Sequence, residues 1–179
     1  MIHGWATMFS NHSLIGNFEP TSIVMSDYQA VIAAPGFALG LRCNDTEVTA
    51  IEFLEARAGL AAATPLAEEA VRQLRCYLQN PGFIFALPLA PAGTPFQRRV
   101  WARIAAIPHG ETRTYGALAE ALNSAPRAVG GACGANPYPL VVPCHRVVAS
   151  GGGLGGFARQ RGGLLLDIKR WLLVHEGIR

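Results

Sequence analysis

The sequence is poor in charge. Only 15% of its 179 residues are Asp, Glu, Lys or Arg, against 50% hydrophobic, and the formal net charge is +3. A half-apolar chain of this length can bury a real core, as one domain or two small ones. The slight positive charge permits a polyanionic partner without arguing for one. Cysteine is scarce too: Cys43, Cys76, Cys133 and Cys144 form no C-x-x-C pair. Neither they nor the histidines fall at ligand spacing, so no metal site is expected, and no cofactor. The first residues carry no signal-peptide pattern, which argues against a disulfide framework. No apolar run reaches the roughly eighteen residues needed to cross a bilayer. The expectation is a soluble, reduced, cytoplasmic chain with no membrane partner.

Residues 1–27 have mixed polarity and few periodic signals, as an extension of unclear role would. From Tyr28 the pattern is strand-like: "YQAVIAA", "FALGLRC" and "EVTAIEF" are short apolar segments, split by Pro35-Gly36 and Asn44-Asp45. Antiparallel pairing is the simplest arrangement. "TPLAEEAVRQLRCYLQNPG" predicts a helix with Thr64 as N-cap, Pro65 in the first turn, and Leu66, Ala70, Leu74 and Tyr77 on one face. Cys76, inside it, is expected to pack. "FIFALPL" is a further strand candidate. The stretch from Pro88 to Pro95, with three prolines and a glycine, is the best linker.

Beyond it the character is helical. "TPFQRRVWARIAAIP" runs from Thr94 to Pro108 and places Phe96, Val100, Trp101, Ile104 and Ile107 inward. "TYGALAEAL" starts at cap Thr114, and "APRAVGGACGAN" forms a glycine-softened helix from about Pro126. "LLLDIKRWLLVHEG" closes the chain, with Leu164, Ile168, Trp171, Leu172 and His175 at helical spacing and Gly177 as C-cap. The short pair at 115–122 and about 126–133 fits a helix-turn-helix, although any helical hairpin satisfies the same spacing. Basic residues recur around it (Arg98, Arg99, Arg103, Arg113, Arg127), opposed only by Glu111 and Glu120; such a stretch is more often a solvated face than a DNA site.

The chemistry concentrates in "NPYPLVVPCHRVV", residues 136–148. Pro139 and Pro143 restrict the backbone, and Asn136 can brace a turn with its side chain. A free thiol is only slightly ionised at neutral pH, so a nucleophilic Cys144 needs a base or a positive neighbour. Adjacent residues usually point apart, so His145 would reach Cys144 through a water or a tight turn. A third group should orient the histidine, and Glu176 is the candidate. At a helix C-terminus a carboxylate is disfavoured unless a cation or a strong donor faces it. On its own a Cys-His pair is more often structural than catalytic, and Glu176 reads first as a surface residue of a fraying turn.

"PCHRVV" preceded by "NPYPLVV" closely resembles the active-site signature of the O6-alkylguanine-DNA alkyltransferases, also called methylated-DNA–protein-cysteine methyltransferases. "GTPFQRRVW", "IPHGETRTYGALA" and "RAVGGACGANP" agree in order and approximate spacing, and "KRWLLVHEG" matches the family's last helix, so the resemblance covers about residues 93–179, and more weakly 28–92. It implies an α+β fold: a small N-terminal antiparallel-sheet domain (1–90) packed on a helical C-terminal domain (91–179) with a helix-turn-helix. The implied partner is double-stranded DNA containing O6-alkylguanine, bound by a monomer in the cytoplasm, with the nucleoid if bacterial or in the nucleus if eukaryotic. The implied activity is irreversible transfer of the alkyl group to Cys144, from O6-alkylguanine and also O4-alkylthymine, after base flipping.

By the same resemblance His145 is the general base through a water, Glu176 orients it, and Asn136 braces the active-site turns. Tyr115 rotates the nucleotide and gives a proton to the leaving guanine, and Arg127 is the finger that fills the vacated stack. Ala128, Gly131, Ala132 and Gly134 would face the groove, and Pro139, Val147, Gly155 and Phe157 the alkyl pocket. The chain departs from the family in three places. Tyr115 and Arg127 stand about two residues closer, with the deletion in "NSAP". About five residues are added near "FARQRGGLLLD". Phe157 replaces a usual tyrosine. Cys133 is expected to pack, with a second reactive thiol as the alternative. Two rival functions stay open: a damage-binding protein that does not repair, disfavoured by the presence of Cys144, and a cysteine hydrolase that turns over.

Overall fold

The computed structural model describes residues 27–157 and 162–178. The extension, apart from Asp27, and residues 158–161 of the stretch after Phe157 lie outside them. The fold is α+β. β1 (Ala30–Ala34), β2 (Phe37–Cys43) and β3 (Val48–Glu55) form an antiparallel sheet in that order. β2 is central, and Phe37, Ala38, Leu39 and Leu41 are all buried, so it reads as a continuous apolar run rather than an alternation. Gly36 adopts φ +83° in the first turn, and the Asn44 side chain accepts the Thr46 and Glu47 amides in the second.

α1 (Pro65–Gln79) begins where Thr64 caps the Ala67 amide and packs against β1 and β2. Its inward face is Ala67, Ala70, Val71, Gln73, Leu74 and Tyr77; Leu66, expected there, is only half-buried. The strand expected at "FIFALPL" does not form. Only Leu89 bridges to Val48. Pro88 has no amide to donate, and the side chain of buried Gln73 takes both backbone groups of Ala86, at 2.8 and 3.2 Å, leaving no ladder to build.

α2 (Pro95–Ala105) opens with a capping box between Thr94 and Gln97 and buries Val100, Trp101 and Ile104. α3 (Tyr115–Ala121) and α4 (Pro126–Gly134) form the expected helix-turn-helix, with Asn123 at φ +49° in the tight turn between them. Trp101 Nε1 donates to the Ala132 carbonyl at 2.8 Å and ties α2 to α4. β4 (Arg113–Thr114) and β5 (Val147–Val148) pair in parallel, a contact too short to leave a periodic signal. α5 (Leu164–His175) ends with Gly177 at φ +80°, and Ile178 donates back to the Leu173 carbonyl.

One contiguous cluster of buried side chains joins both sides of the proline-rich stretch, Leu39 and Tyr77 with Ile104, Val129 and Leu172. Each such large apolar side chain contributes about 1.5–3 kcal/mol by leaving water. No helix among the described residues is long and apolar enough to cross a membrane.

Candidate active site

The loop from Asn136 to Cys144 is held by its own first residue. Asn136 Oδ1 accepts the Tyr138 amide at 3.0 Å, while Nδ2 donates to the Val142 carbonyl at 2.8 Å and lies 3.4 Å from Cys144 Sγ. Leu140 takes φ +74°, a strained conformation for a branched residue, between the two prolines. The N-terminal segment fastens the same loop: Ile51 of β3 donates to the Pro137 carbonyl, and the Tyr138 hydroxyl donates to that of Ala90. Cys144, His145 and Arg146 then form a single 3₁₀ turn. Cys144 is 5% exposed; burial pushes its thiol up, and the Asn136 amide pulls it partly back.

The turn aims His145 and Arg146 at the end of α5. His145 is fully buried, and its Nε2 lies 2.9 Å from Glu176 Oε1. Arg146 grips the same carboxylate with two nitrogens, Nε to Oε2 at 2.8 Å and Nη2 to Oε1 at 2.9 Å, and donates to the Ile107 carbonyl. Tyr77, from α1, donates its hydroxyl to Oε1 at 2.9 Å. Burial alone would raise Glu176, but the bonds from His145 and Arg146 overcome it and hold the carboxyl well below the usual range. Burial pushes His145 below its ordinary value despite Glu176, so the ring is neutral at rest. With the Nε2 proton committed to the carboxylate, the lone pair sits on Nδ1, which has no hydrogen-bond partner among the described residues. The arrangement leaves one basic nitrogen, buried, on the residue that follows the thiol.

Above the thiol lies a cavity of about 780 Å³, lined by Tyr115, Arg127, Gly130, Cys133, Cys144 and Phe157 among others. The Tyr115 hydroxyl donates to the Gly156 carbonyl at 2.9 Å, and burial holds the phenol protonated. Gly155 is required there: it has φ +69°, and a Cβ would meet the Tyr115 ring at 2.8 Å. A smaller cavity of about 230 Å³ reaches Cys144 from the other side, between Pro139, Asn136 and Phe157. Cys133 lines both cavities, and burial, with Cys144 beside it, pushes its thiol up to about 12. Val147 lines neither cavity: it is fully buried, with its backbone paired to Arg113.

Two expectations for α4 separate. Arg127, Ala128 and Gly131 are exposed on its outer face and Gly134 is half-buried at the cavity. Ala132 is buried on the opposite face, toward Trp101, so its side chain is not open to a groove.

Three further residues belong to the site without having been expected there. Arg146 was legible only as part of the quoted motif, and Tyr77 only as an apolar position. Lys169 is fully buried on α5 and donates to the carbonyls of Val147 and Leu154 at 2.6 Å and of Gly156 at 3.2 Å. Burial pushes it down to about 8. A lysine one position from Ile168, on an apolar face, is the one sequence signal that pointed to it.

Residues 95–178 match the family model of the 6-O-methylguanine DNA methyltransferase DNA-binding domain. The methylated-DNA–protein-cysteine methyltransferase of Methanosarcina acetivorans is 37% identical over 158 residues, 84% of this chain and 98% of that one. The constitutive enzyme of Bacillus subtilis is 44% identical over 117 residues, covering 64% of this chain and 68% of its own. The crystal structure of Mycobacterium tuberculosis OGT in complex with DNA superposes with a TM-score of 0.68 at 36% identity, over 82% of this chain and 90% of that one. The chain belongs to the methylated-DNA–protein-cysteine methyltransferase family.

Proposed function

We propose that this chain repairs alkylated DNA by moving the alkyl group of O6-alkylguanine, and of O4-alkylthymine, onto Cys144 in a single turnover. The observation that carries this reading is a buried thiol that opens on a cavity large enough for a base, with an unpartnered imidazole nitrogen on the next residue. A base stacked in a duplex cannot offer its alkyl carbon to a protein sulfur, so it is flipped, at a cost of about a few kcal/mol. Arg127, exposed at the cavity mouth on α4, fills the gap. Ala128, Gly131 and Gly134 let the helix approach closely. A Cβ on Gly131 would meet nothing within 4 Å among the described residues, so packing gives no reason for a glycine there.

Inside the cavity the flipped base lies between Tyr115, Gly155 and Phe157, with Pro139 closing the second opening. The Cys144 proton passes through a water to His145 Nδ1, and Glu176 holds the imidazolium that results. The sulfur attacks the alkyl carbon, the bond to O6 breaks, and the guanine takes a proton from Tyr115. Asn136 stabilises the sulfur through Nδ2. The product is a thioether, which has no carbonyl for water to attack, so Cys144 is not regenerated. Residues 1–90 and 91–179 act as a supporting and a DNA-reading domain of a monomer, located with the DNA.

A duplex carrying O6-[methyl-¹⁴C]guanine tests this directly. One label per chain is expected on the peptide holding Cys144. Continued release of free product would overturn it in favour of a hydrolase, and binding without transfer would make the chain a damage-binding protein.

A further inference from the structure

Tyr77 lies outside the closely matching motifs of residues 93–179, on a helix of the N-terminal segment, yet it touches the buried carboxylate of the site. We infer that Tyr77 is a positioning residue of the His145–Glu176 pair: its hydroxyl occupies Glu176 Oε1 and sets how firmly that oxygen holds the histidine. This deepens the reading of His145 as the base and rests on it.

The geometry leaves the hydroxyl little choice. Oε1 receives three donors, Tyr77 Oη, His145 Nε2 and Arg146 Nη2, each at 2.9 Å. Tyr77 Oη is also 3.5 Å from His145 Nε2, beside the proton that bonds the carboxylate. The ring cannot swing away. It is 1% exposed, packs on Phe85 and edge-on to His175, and its backbone carbonyl bonds His175 Nε2 at 3.0 Å. A residue wanted only for packing would not need the hydroxyl, because burying an unpaired phenol costs stability. Here the hydroxyl is paired, and paired with a charge.

Donors that share one oxygen compete for its charge. What Tyr77 withdraws from Oε1 is no longer available to stabilise a protonated His145, so the phenol keeps the imidazole a weaker acceptor at rest and holds Glu176 in line. The other ionisable groups that bear on His145 are Arg146 beside it and Lys169 from α5; both oppose its protonation, and Glu176 favours it. Tyr77 is the member of this set supplied from outside the segment that carries the thiol. The N-terminal sheet and helix thereby reach the chemistry as well as the core.

The test is Tyr77→Phe in the full chain, which keeps the ring. The readouts are the titration of His145 by NMR in the DNA-free protein, and the transfer rate against pH. Loss of one charge-assisted donor should raise the His145 midpoint by about one pH unit. The acid limb of the rate profile should move up with it, with little change at high pH. A fluorinated tyrosine placed at position 77, a stronger donor with the same shape, should move the midpoint down. An unchanged midpoint in both proteins overturns the inference, as does a lower melting temperature with no change in titration. If the midpoint moves and the rate profile does not follow, Tyr77 still positions the pair, and His145 is not the base.

Discussion

The relay of the proposed mechanism, the buried His145–Glu176 pair with Tyr77 and Arg146, and the outer face of α4 are built on opposite principles. In the relay, Glu176 is 3% exposed and receives Tyr77, His145 and Arg146, and Asn136 spends both ends of its amide on the loop. Only His145 Nδ1 is left without a partner among the described residues. On α4, Arg127, Ala128 and Gly131 are exposed, and Arg127 has no ion pair among the described residues. The first region is complete without a ligand, because a buried charge must be compensated by the fold itself. The second is economical in side chains, as the face proposed to meet DNA would be. Substitutions in the relay should therefore damage chemistry and stability together, and substitutions on α4 should damage binding alone.

The sharpest separation is Cys144→Ser. The hydroxyl is far less acidic than the thiol and should not attack, so label transfer should fall below detection while the damaged duplex is still bound in a mobility-shift assay. Loss of both would mean that the loop, and not the nucleophile, had been broken.

Glu176→Gln breaks the comparison from the relay side. It leaves the Arg146 guanidinium buried and uncompensated, which should lower stability by about 3–5 kcal/mol. It also removes the orienting acceptor of His145, and transfer should slow by about 10²–10⁴-fold, the range of general acid–base catalysis. The pH dependence of melting has a definite sign. Burial holds folded His145 below its ordinary value, so below about pH 6.5 the unfolded chain takes up a proton that the folded one refuses, and stability falls with pH. Glu176 is held down as well, and its contribution is lost as pH drops from about 4.3 toward its folded value. Glu52 and Glu69 are also held down, so in Glu176→Gln the second decline should shrink without vanishing. A melt in which it keeps its full size would assign it to those carboxylates.

The two regions were also unequally legible in the sequence. Caps and turns announced themselves locally: Thr64-Pro65 and Thr94-Pro95 start helices, and Asn44 closes a turn, because each acts on neighbours two or three residues away. The short spacing of α3 and α4, and the prolines and asparagine around Cys144, were visible for the same reason. What was hidden depends on partners far along the chain. "FIFALPL" has a strand's composition, but Gln73 takes the backbone groups of Ala86. Tyr77 has a core residue's spacing, and its hydroxyl finds Glu176 ninety-nine positions away. Lys169 sits on an apolar face because three carbonyls of the 147–156 segment meet it there. Ala132 and Gly131 are neighbours of similar size, and only the way α4 is seated in the fold buries the first and exposes the second.

Arg127→Ala tests the outer face. An exposed residue without a partner can be removed with little effect on melting, within about 0.5 kcal/mol. Transfer from duplex should slow because flipping is no longer compensated, while transfer from the free base O6-methylguanine, which needs no flipping, should be unchanged. Equal slowing on both substrates would remove Arg127 from that role.

Gly131→Ala has the smallest expected effect and separates the two regions most cleanly, because its two consequences have opposite signs. Within the protein the added methyl meets nothing within 4 Å among the described residues, and the position is helical. Alanine should therefore stabilise α4 by about 0.5–1 kcal/mol and raise the melting temperature. On the face proposed to approach DNA the same methyl would hold the helix away, so duplex affinity should drop a few-fold. A protein that melts higher and binds less tightly would show that the glycine is kept for the partner and not for the fold. A higher melting temperature with unchanged affinity would move the contact off this part of α4 and onto the turn at Arg127.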